Sequence, residues 1–236
     1  MKKAMINYRP DWTFWLPDSV AEWDAITHWE RERLASMEEH LRPGMTLFDV
    51  GTEHGWLTAV YGGFVGHCGL VLIEPSPEFW PNIRKIWEHN NFEKPMAMVQ
   101  GFVGELLADV DPAGTDFTAW PAPSDVPECG GMAYRYLGAD GIPTYTIDYL
   151  ADIGVPPHAI TIDIEGAELL ALRGAEQTLR GARPLVWVSV HEDLMMRDFS
   201  HDPRDLHRFM ESVGYVGEYL GTDHEAHWFF CPEEQL

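Results

Sequence analysis

Met45-Thr46-Leu47-Phe48-Asp49-Val50-Gly51-Thr52-Glu53-His54-Gly55 runs from a short apolar strand into a turn bracketed by glycines, and a helical stretch follows to about Phe64. Outward from it the texture repeats. Leu70–Ile73 reads as a second strand with a helix from about Glu78 to Asn90, and Met96–Val99 as a third, weaker strand. Ala159–Ile164 is a strand leading into a helix from Ala167 to about Leu179, and Leu185–Val190 is a strand with a helix from Arg204 to Val213. Tyr215–Leu220 and His227–Cys231 close the chain as an antiparallel pair. Strands alternating with helices predict an α/β fold, a doubly wound, mostly parallel sheet of about seven strands with helices on both faces.

Two segments fall outside this rhythm. Residues 1–18 are aromatic and proline-containing (Tyr8, Trp12, Phe14, Trp15) and read as an irregular arm. Ser19 to Leu41 then reads as a helix, with Val20, Trp23, Ile26, Leu34, Met37 and Leu41 near helical spacing, Ser19 and Glu22 as a capping box, and Pro43-Gly44 as its end. Residues 101–146 are rich in Gly and Pro, so regular helix is not expected there. A long insertion of this kind reads as a binding loop or lid at about 105–143, with a hairpin around Met132–Tyr136 and Tyr145–Ile147 as one arrangement. The expected organisation is therefore an N-terminal aromatic arm and helix over 1–43, followed by one domain over 44–236.

Among the 236 residues, 45% are hydrophobic and 23% charged, which suits a globular chain with a sizeable core. Sixteen Lys and Arg against 38 Asp and Glu leave a net charge of −22. A nucleic-acid partner requires phosphate neutralisation by cations that this chain lacks, and an anionic membrane would repel it, so neither is expected. Cys68, Cys129 and Cys231 are odd in number and widely spaced, which argues against a disulfide framework. The start MKKAMINYRP has no apolar core of a secretory signal, and no stretch approaches the roughly 20 apolar residues of a membrane span, so the expected location is cytoplasmic.

Gly51 and Gly55 let the backbone turn tightly toward a ligand at a helix N-terminus. Glu74 ends the neighbouring strand about 20 positions on, where a carboxylate can accept hydrogen bonds from ribose hydroxyls. Together they point to a nucleoside-containing cofactor. The glycine expected at the second position of a G-x-G-x-x-G turn is missing, which disfavours a dinucleotide pyrophosphate and favours S-adenosylmethionine.

The run Thr161-Ile162-Asp163-Ile164-Glu165-Gly166-Ala167-Glu168-Leu169-Leu170-Ala171-Leu172-Arg173-Gly174-Ala175 resembles the K-I-D-V-E-G-A-E-x-x-V-L-x-G-A hallmark of the FkbM family of S-adenosylmethionine-dependent methyltransferases. The glycine turn resembles that family's D-V-G-A-N-x-G, Ile73-Glu74-Pro75-Ser76-Pro77 its F-E-P-x-P, and Ile147-Asp148-Tyr149-Leu150 its L-D-x-L. The resemblance covers roughly residues 45–192. It implies a Rossmann-like class I methyltransferase sheet, S-adenosylmethionine as cofactor, and methyl transfer to a hydroxyl of a small molecule or glycan. The cofactor-binding set is then Asp49, Gly51, Glu53, Gly55, Glu74 and Glu105. Gly51, Glu53 and Gly55 border the methionine portion, Glu74 the ribose, and Glu105 the adenine. Three positions depart from the family pattern. Glu53 stands where the family has Asn, and its carboxylate would repel that of the cofactor unless protonated or bridged. Thr161 stands in place of a Lys, and Ser189 in place of an acidic residue two before His191.

Open α/β sheets do their chemistry beyond the carboxyl ends of the strands. Asp163 and Glu165 lie at one such end, and His191 and Glu192 at the next. Asp163 and His191 are the catalytic candidates, as bases that deprotonate a hydroxyl. Asp163, Glu165, His191 and Glu192 are also the candidate ligands for a divalent cation such as Mg2+. Glu168, in a first helical turn, reads as an answer to the helix dipole. His224 and His227, with Asp223 and Glu225, form a second set of possible metal ligands. Trp56 and Trp120 read first as packing residues, with stacking on a sugar or adenine as their other role. N-methylation, a non-catalytic cofactor-binding scaffold and a metal-only hydrolase are the competing functions.

Overall fold

The computed structural model describes residues 1–6, 8–22, 29–111, 114–122 and 141–236. Its strands, in chain order, are β1 (Lys2–Ile6), β2 (Arg9–Leu16), β3 (Leu47–Val50), β4 (Leu70–Ile73), β5 (Ala97–Val99), β6 (Phe102–Val103), β7 (Thr144–Tyr145), β8 (Ala159–Ile162), β9 (Leu185–Val190), β10 (Tyr215–Thr222) and β11 (Ala226–Pro232). The helices are α1 (Asp18–Ala21), α2 (Arg31–His40), α3 (Trp56–Val65), α4 (Trp80–Asn90), α5 (Ile147–Ile153), α6 (Glu168–Arg173), α7 (Glu176–Gly181), α8 (Glu192–Phe199) and α9 (Pro203–Ser212).

Seven strands form one sheet in the order β10-β11-β9-β8-β3-β4-β5. Its neighbours from β9 to β5 pair in parallel, and β11 runs antiparallel to both β9 and β10. The class I methyltransferase sheet implied by the sequence is therefore present, closing antiparallel pair included. From β3 the chain winds outward first through β4 and β5, then returns to β8 on the other side. That reversal places the topological switch point between β3 and β8, where such sheets open a ligand crevice.

Period-two alternation sorts each strand's side chains onto two cores. Leu47, Leu70, Leu72, Ala159, Trp187 and Phe229 face one, where Trp56, Val60, Tyr61 and Trp87 from α3 and α4 pack. Phe48, Val50, Ile73, Ile160, Ile162, Val186 and Val188 face the other, against Leu169, Leu172, Leu206 and Met210 from α6 and α9. The N-terminal segment joins the first core through Ile6, Phe14, Leu16, Leu34, Met37 and Leu41.

The structure differs from expectation at several places. The expected irregular arm is an antiparallel hairpin, β1 with β2, whose Ile6, Phe14 and Leu16 turn inward while Trp12 packs over Gly63. The helix expected from Ser19 begins at Asp18 after Pro17, with no side-chain cap, so Ser19 and Glu22 do not form a capping box. Trp23 and Ile26 lie outside the described residues. Downstream, α2 starts afresh after Glu30, whose left-handed φ of 67° cannot continue a helix. The helix expected from Ala167 to Leu179 is two, α6 and α7. Gly174 breaks it where the chain presses on the Gly104 carbonyl, leaving no room for a side chain. Tyr145 pairs in parallel with Val103; Met132–Tyr136 and Cys129 fall outside the described residues, as does the middle of the expected lid. Finally, α8 follows β9 directly, a helix with no counterpart in the sequence reading.

Gly51 is the tightest point of the frame. It sits at φ 95°, and a Cβ there would overlap the Asp163 carbonyl oxygen on β8's exit. Gly51→Ala combines left-handed strain with overpacking and is expected to lower unfolding free energy by about 2 kcal/mol or more, read from urea denaturation.

Candidate active site

The crevice is built at the carboxyl ends of β3, β4, β8 and β9. Val50 pairs with Ile162 on one side and Ile73 on the other, so Gly51 emerges beside Asp163. The Asp163 amide donates to the Val50 carbonyl at 2.9 Å, and that of Gly51 to the Ile73 carbonyl at 2.9 Å. Glu74 leaves β4 buried, its two carboxylate oxygens accepting the amides of Glu53 and Ser76, each at 2.8 Å. Burial pushes its carboxyl up to about 7, against the pull of those amides. Glu53 adopts φ 47°; its side chain is half exposed, yet partial desolvation, with Asp163, Glu74 and Glu165 nearby, pushes its carboxyl up to about 7.

Across the crevice His191 follows β9. Its Nδ1 donates to Glu168 Oε1 at 2.8 Å, and the same oxygen accepts the Gly166 amide at 2.9 Å. Glu168 is fully buried, so it orients the imidazole rather than merely answering a helix dipole. The other ring nitrogen, Nε2, faces Asp163 Oδ1 at 3.7 Å, Glu165 Oε2 at 3.8 Å and Glu225 Oε2 at 3.9 Å. Burial opposes charge on His191, but the Glu168 hydrogen bond and the Asp163, Glu168 and Glu165 carboxylates hold it up to about 10. Burial likewise opposes charge on Asp163. The His191 and Arg33 cations, with His227 and His224, outweigh it and keep the carboxyl below its ordinary value. With no cation between them, these charges favour an ionised Asp163 and a protonated His191 at neutral pH.

Beneath Asp163 lies Arg33 of α2, which the sequence reading did not single out. Its guanidinium donates to Glu30 Oε2 at 2.9 Å, Ser189 Oγ at 2.7 Å, Asp163 Oδ2 at 3.3 Å and Thr161 Oγ1. Burial weakens its charge, yet Glu30, Tyr61 and Asp163 around it hold the group above its ordinary range. Ser189 passes the chain on to His227 Nδ1 at 3.1 Å. His227 Nε2 meets Asp223 Oδ1 at 2.8 Å, and Asp223 Oδ2 accepts the Glu30 amide at 2.7 Å, closing a ring. The signal for Arg33 was its place on the buried stripe of α2 with Leu34 and Met37.

The remaining sequence candidates are scattered. Asp49 is buried under the turn and accepts the Thr58 hydroxyl, while burial pushes its carboxyl up to about 6. Gly55 begins α3 at φ 79°. Glu105 is exposed and pairs with Arg173 at 3.6 Å. Glu192 is exposed in the first turn of α8 and lines an open groove with Met196, His201 and Arg204, so it does not join Asp163 and His191. Glu225 does join them. His224 pairs with Glu225 at 2.5 Å and stacks on Trp29, ring centroids 3.9 Å apart. Trp56 is a buried core residue, and Trp120 packs edge-on against Trp87.

A glycine turn at a switch point and an acidic residue ending the next strand are what nucleoside-binding α/β sheets share. The methyltransferase FkbM domain matches residues 49–216, and the chain belongs to that family. Its fold is similar to that of an FkbM methyltransferase from Methylobacillus flagellatus, at 18% identity and TM-score 0.52, covering 84% of this chain and 50% of that one. This chain thus spans about half the length of that relative. A ribosomal protein L11 methylase from Lactobacillus delbrueckii subsp. bulgaricus is 10% identical over 88% of this chain and 79% of its own, with TM-score 0.55. A Streptococcus mutans methyltransferase-fold protein in complex with SAH is 8% identical over 84% and 94%, with TM-score 0.51. No curated protein matches the sequence. Among the described residues, no helix is long and apolar enough to cross a membrane.

These electrostatics fix the sign of the stability profile. Glu53, Glu74 and Asp49 have raised carboxyls, and His191 and His224 are raised to about 10 and 9. The folded state therefore binds more protons than the unfolded chain above the ordinary carboxyl range, and stability falls as pH rises. The histidine share is fully present below pH 6.5 and is lost toward pH 9 and 10. His67, lowered to about 4 by burial, limits stability on the acid side. In chelator-containing buffer the thermal midpoint is expected to be lower at pH 9 than at pH 6; a rise would contradict the charge states given above. Arg33→Met, which strands Asp163 and Glu30 without their cation, is expected to cost about 3–5 kcal/mol in urea unfolding.

Proposed function

We propose that this chain transfers the methyl group of S-adenosylmethionine to an oxygen, the hydroxyl of a small molecule or a glycan, as a cytoplasmic enzyme. The observation that carries the reading is the meeting of the Gly51 turn with the Asp163 backbone at the switch point, with Glu74 fixed at the end of the neighbouring strand. The residues suit the cofactor. Glu74 is fixed by two amides and keeps a lone pair on each oxygen for ribose hydroxyls. Gly51, at φ 95°, lets β3 turn tightly against the Asp163 backbone at the floor of the crevice. Glu53, raised to about 7, can carry a proton and so donate to the cofactor's carboxylate instead of repelling it. Family membership and the SAH complex of the Streptococcus mutans protein support this choice of cofactor.

When bound, the cofactor supplies a methyl group on a positively charged sulfur. Asp163 accepts the acceptor's hydroxyl hydrogen and aims its oxygen at the crevice. His191, held by Glu168, places a positive charge where negative charge develops on that oxygen. Because Asp163 is a weak base, alignment supplies much of the acceleration. The free thiols Cys68 and Cys231 suit a reducing compartment, and the acidic chain disfavours nucleic acid and anionic membrane as partners.

The same weak base and protonated His191 favour one second reading, methylation of a neutral amine, which needs little help from a base. Asp163→Asn separates the two. Under oxygen transfer, SAH release is expected to fall about 100-fold or more while calorimetric SAH affinity stays within a few fold; surviving turnover points to nitrogen. No heat with either S-adenosylmethionine or SAH would overturn both readings. At pH 8, Glu53→Asn is expected to tighten SAH binding by removing a like charge, with a smaller gain at pH 6, where the wild-type group is protonated.

A further inference from the structure

The sequence placed a divalent cation at Asp163, Glu165, His191 and Glu192; the fold assembles a different donor set. We propose that Asp163, His191 and Glu225 form a divalent-cation site at the carboxyl end of the sheet, with Glu165 at its rim, suited to a Mn2+-like ion. One ligand atom from each of the three lies within 4.8 Å of the others. The His191 Nε2 separations of 3.7 Å to Asp163, 3.8 Å to Glu165 and 3.9 Å to Glu225 are too long for hydrogen bonds. They match the spacing of atoms sharing one ion, about 3–4 Å for bonds of about 2.0–2.4 Å.

Two further observations point to a ligand. Glu225 is 6% exposed, and its Oε1 is buried with no hydrogen-bond partner among the described residues, a costly state for a carboxylate. The His191 Nδ1–Glu168 bond fixes the ring so that Nε2 is the nitrogen turned toward the carboxylates, the outer-shell arrangement typical of metal-binding histidines, and a bound cation takes the place of the Nε2 proton, which is released to solvent. Arg33 takes the other oxygen of Asp163, leaving Oδ1 on the His191 side. Three carboxylates with one imidazole form an oxygen-rich set that suits Mn2+ better than a thiophilic metal. Asp163 and Glu165 remain partly exposed at 25% and 41%, leaving a side open for an acceptor oxygen. The neighbouring group Asp223-His224-Glu225-His227 shares Glu225, whose Oε2 also meets His224; it is the weaker candidate because Asp223 and His227 are bound to each other and to the Glu30 amide and Ser189.

As a seat for the acceptor hydroxyl the site rests on the methyl-transfer reading; as a cation site it rests on this geometry alone. MnCl2 titrated into the chelator-treated full chain, followed by loss of the free-ion electron paramagnetic resonance signal, is expected to show one saturable site and a rise in thermal midpoint. His191→Asn and Glu225→Gln are each expected to weaken binding about tenfold or more. Asp223→Asn, which belongs only to the neighbouring group, is expected to leave it unweakened. Absence of saturable Mn2+ binding and of the midpoint rise in the wild type overturns the proposal, as does equal weakening by Asp223→Asn. SAH calorimetry on the same preparation keeps the readings apart: SAH heat without Mn2+ binding removes the cation site and leaves methyl transfer standing.

Discussion

The buried guanidinium of Arg33 holds the reactive end of this protein together. Removing so large a cation from water costs several kcal/mol, and only a full set of oxygen acceptors with opposite charge nearby offsets that cost. Here the acceptors come from three elements. Glu30 precedes the same helix, Thr161 and Asp163 belong to the β8 end, and Ser189 to β9, while Ser189 extends the network to His227 on β11. Remove the cation and each of those groups loses its reason to be buried. The N-terminal helix is consequently part of the site, although the family match starts only at residue 49.

This explains the departure at Thr161. The hallmark run of the family carries a lysine at that strand position, whereas here the shorter threonine leaves space and the positive charge arrives from α2. A guanidinium, with several donors in a fixed plane, can grip Thr161, Asp163 and Ser189 together in a way an ammonium cannot. Ser189, in the place of an acidic residue, fits the same account, since one buried cation needs only so much negative charge around it.

Legibility in the sequence followed the physics of each element. Strands β3, β4, β8 and β9 are short apolar runs bounded by turn residues, and their positions were readable almost to the residue, because a strand buried on both faces has little choice of composition. The hairpin β1–β2 was not readable: its aromatic residues and proline blur the alternation that its cross-strand register later reveals. α8, Glu-Asp-Leu-Met-Met-Arg-Asp-Phe, offers only Met195 to the core and so shows little periodicity. Asp163, His191 and Glu74 were legible because strand ends are marked by motif. Glu225 was visible only as part of a histidine-rich turn. What brings it to His191 is the antiparallel return of β11 along β9, pairing His227 with Ser189, and such long-range pairing leaves no local trace. Arg33 was hidden in a charged helix whose other arginine, Arg31, faces solvent.

Acidic groups in unfavourable states converge on the crevice. Glu53, Glu165 and Glu30 all hold left-handed backbone, at a cost of about 1–2 kcal/mol each, and Glu53 and Glu74 are crowded and desolvated enough to raise their carboxyls. Left-handed non-glycine residues occur elsewhere too, at Asn91, Asp109, Arg183 and Ser200, but only at the crevice do they coincide with raised carboxyls, and such a coincidence is the mark of a functional site. Asp163 shows what the arrangement achieves. One oxygen is bound by Arg33 and the other faces His191, so the carboxylate is fixed in direction while its basicity is reduced. A group tuned that way is better at aiming an acceptor, or at holding a cation that aims it, than at removing a proton unaided. The fold has favoured position over proton affinity at the point where Gly51 brings the two halves of the sheet together.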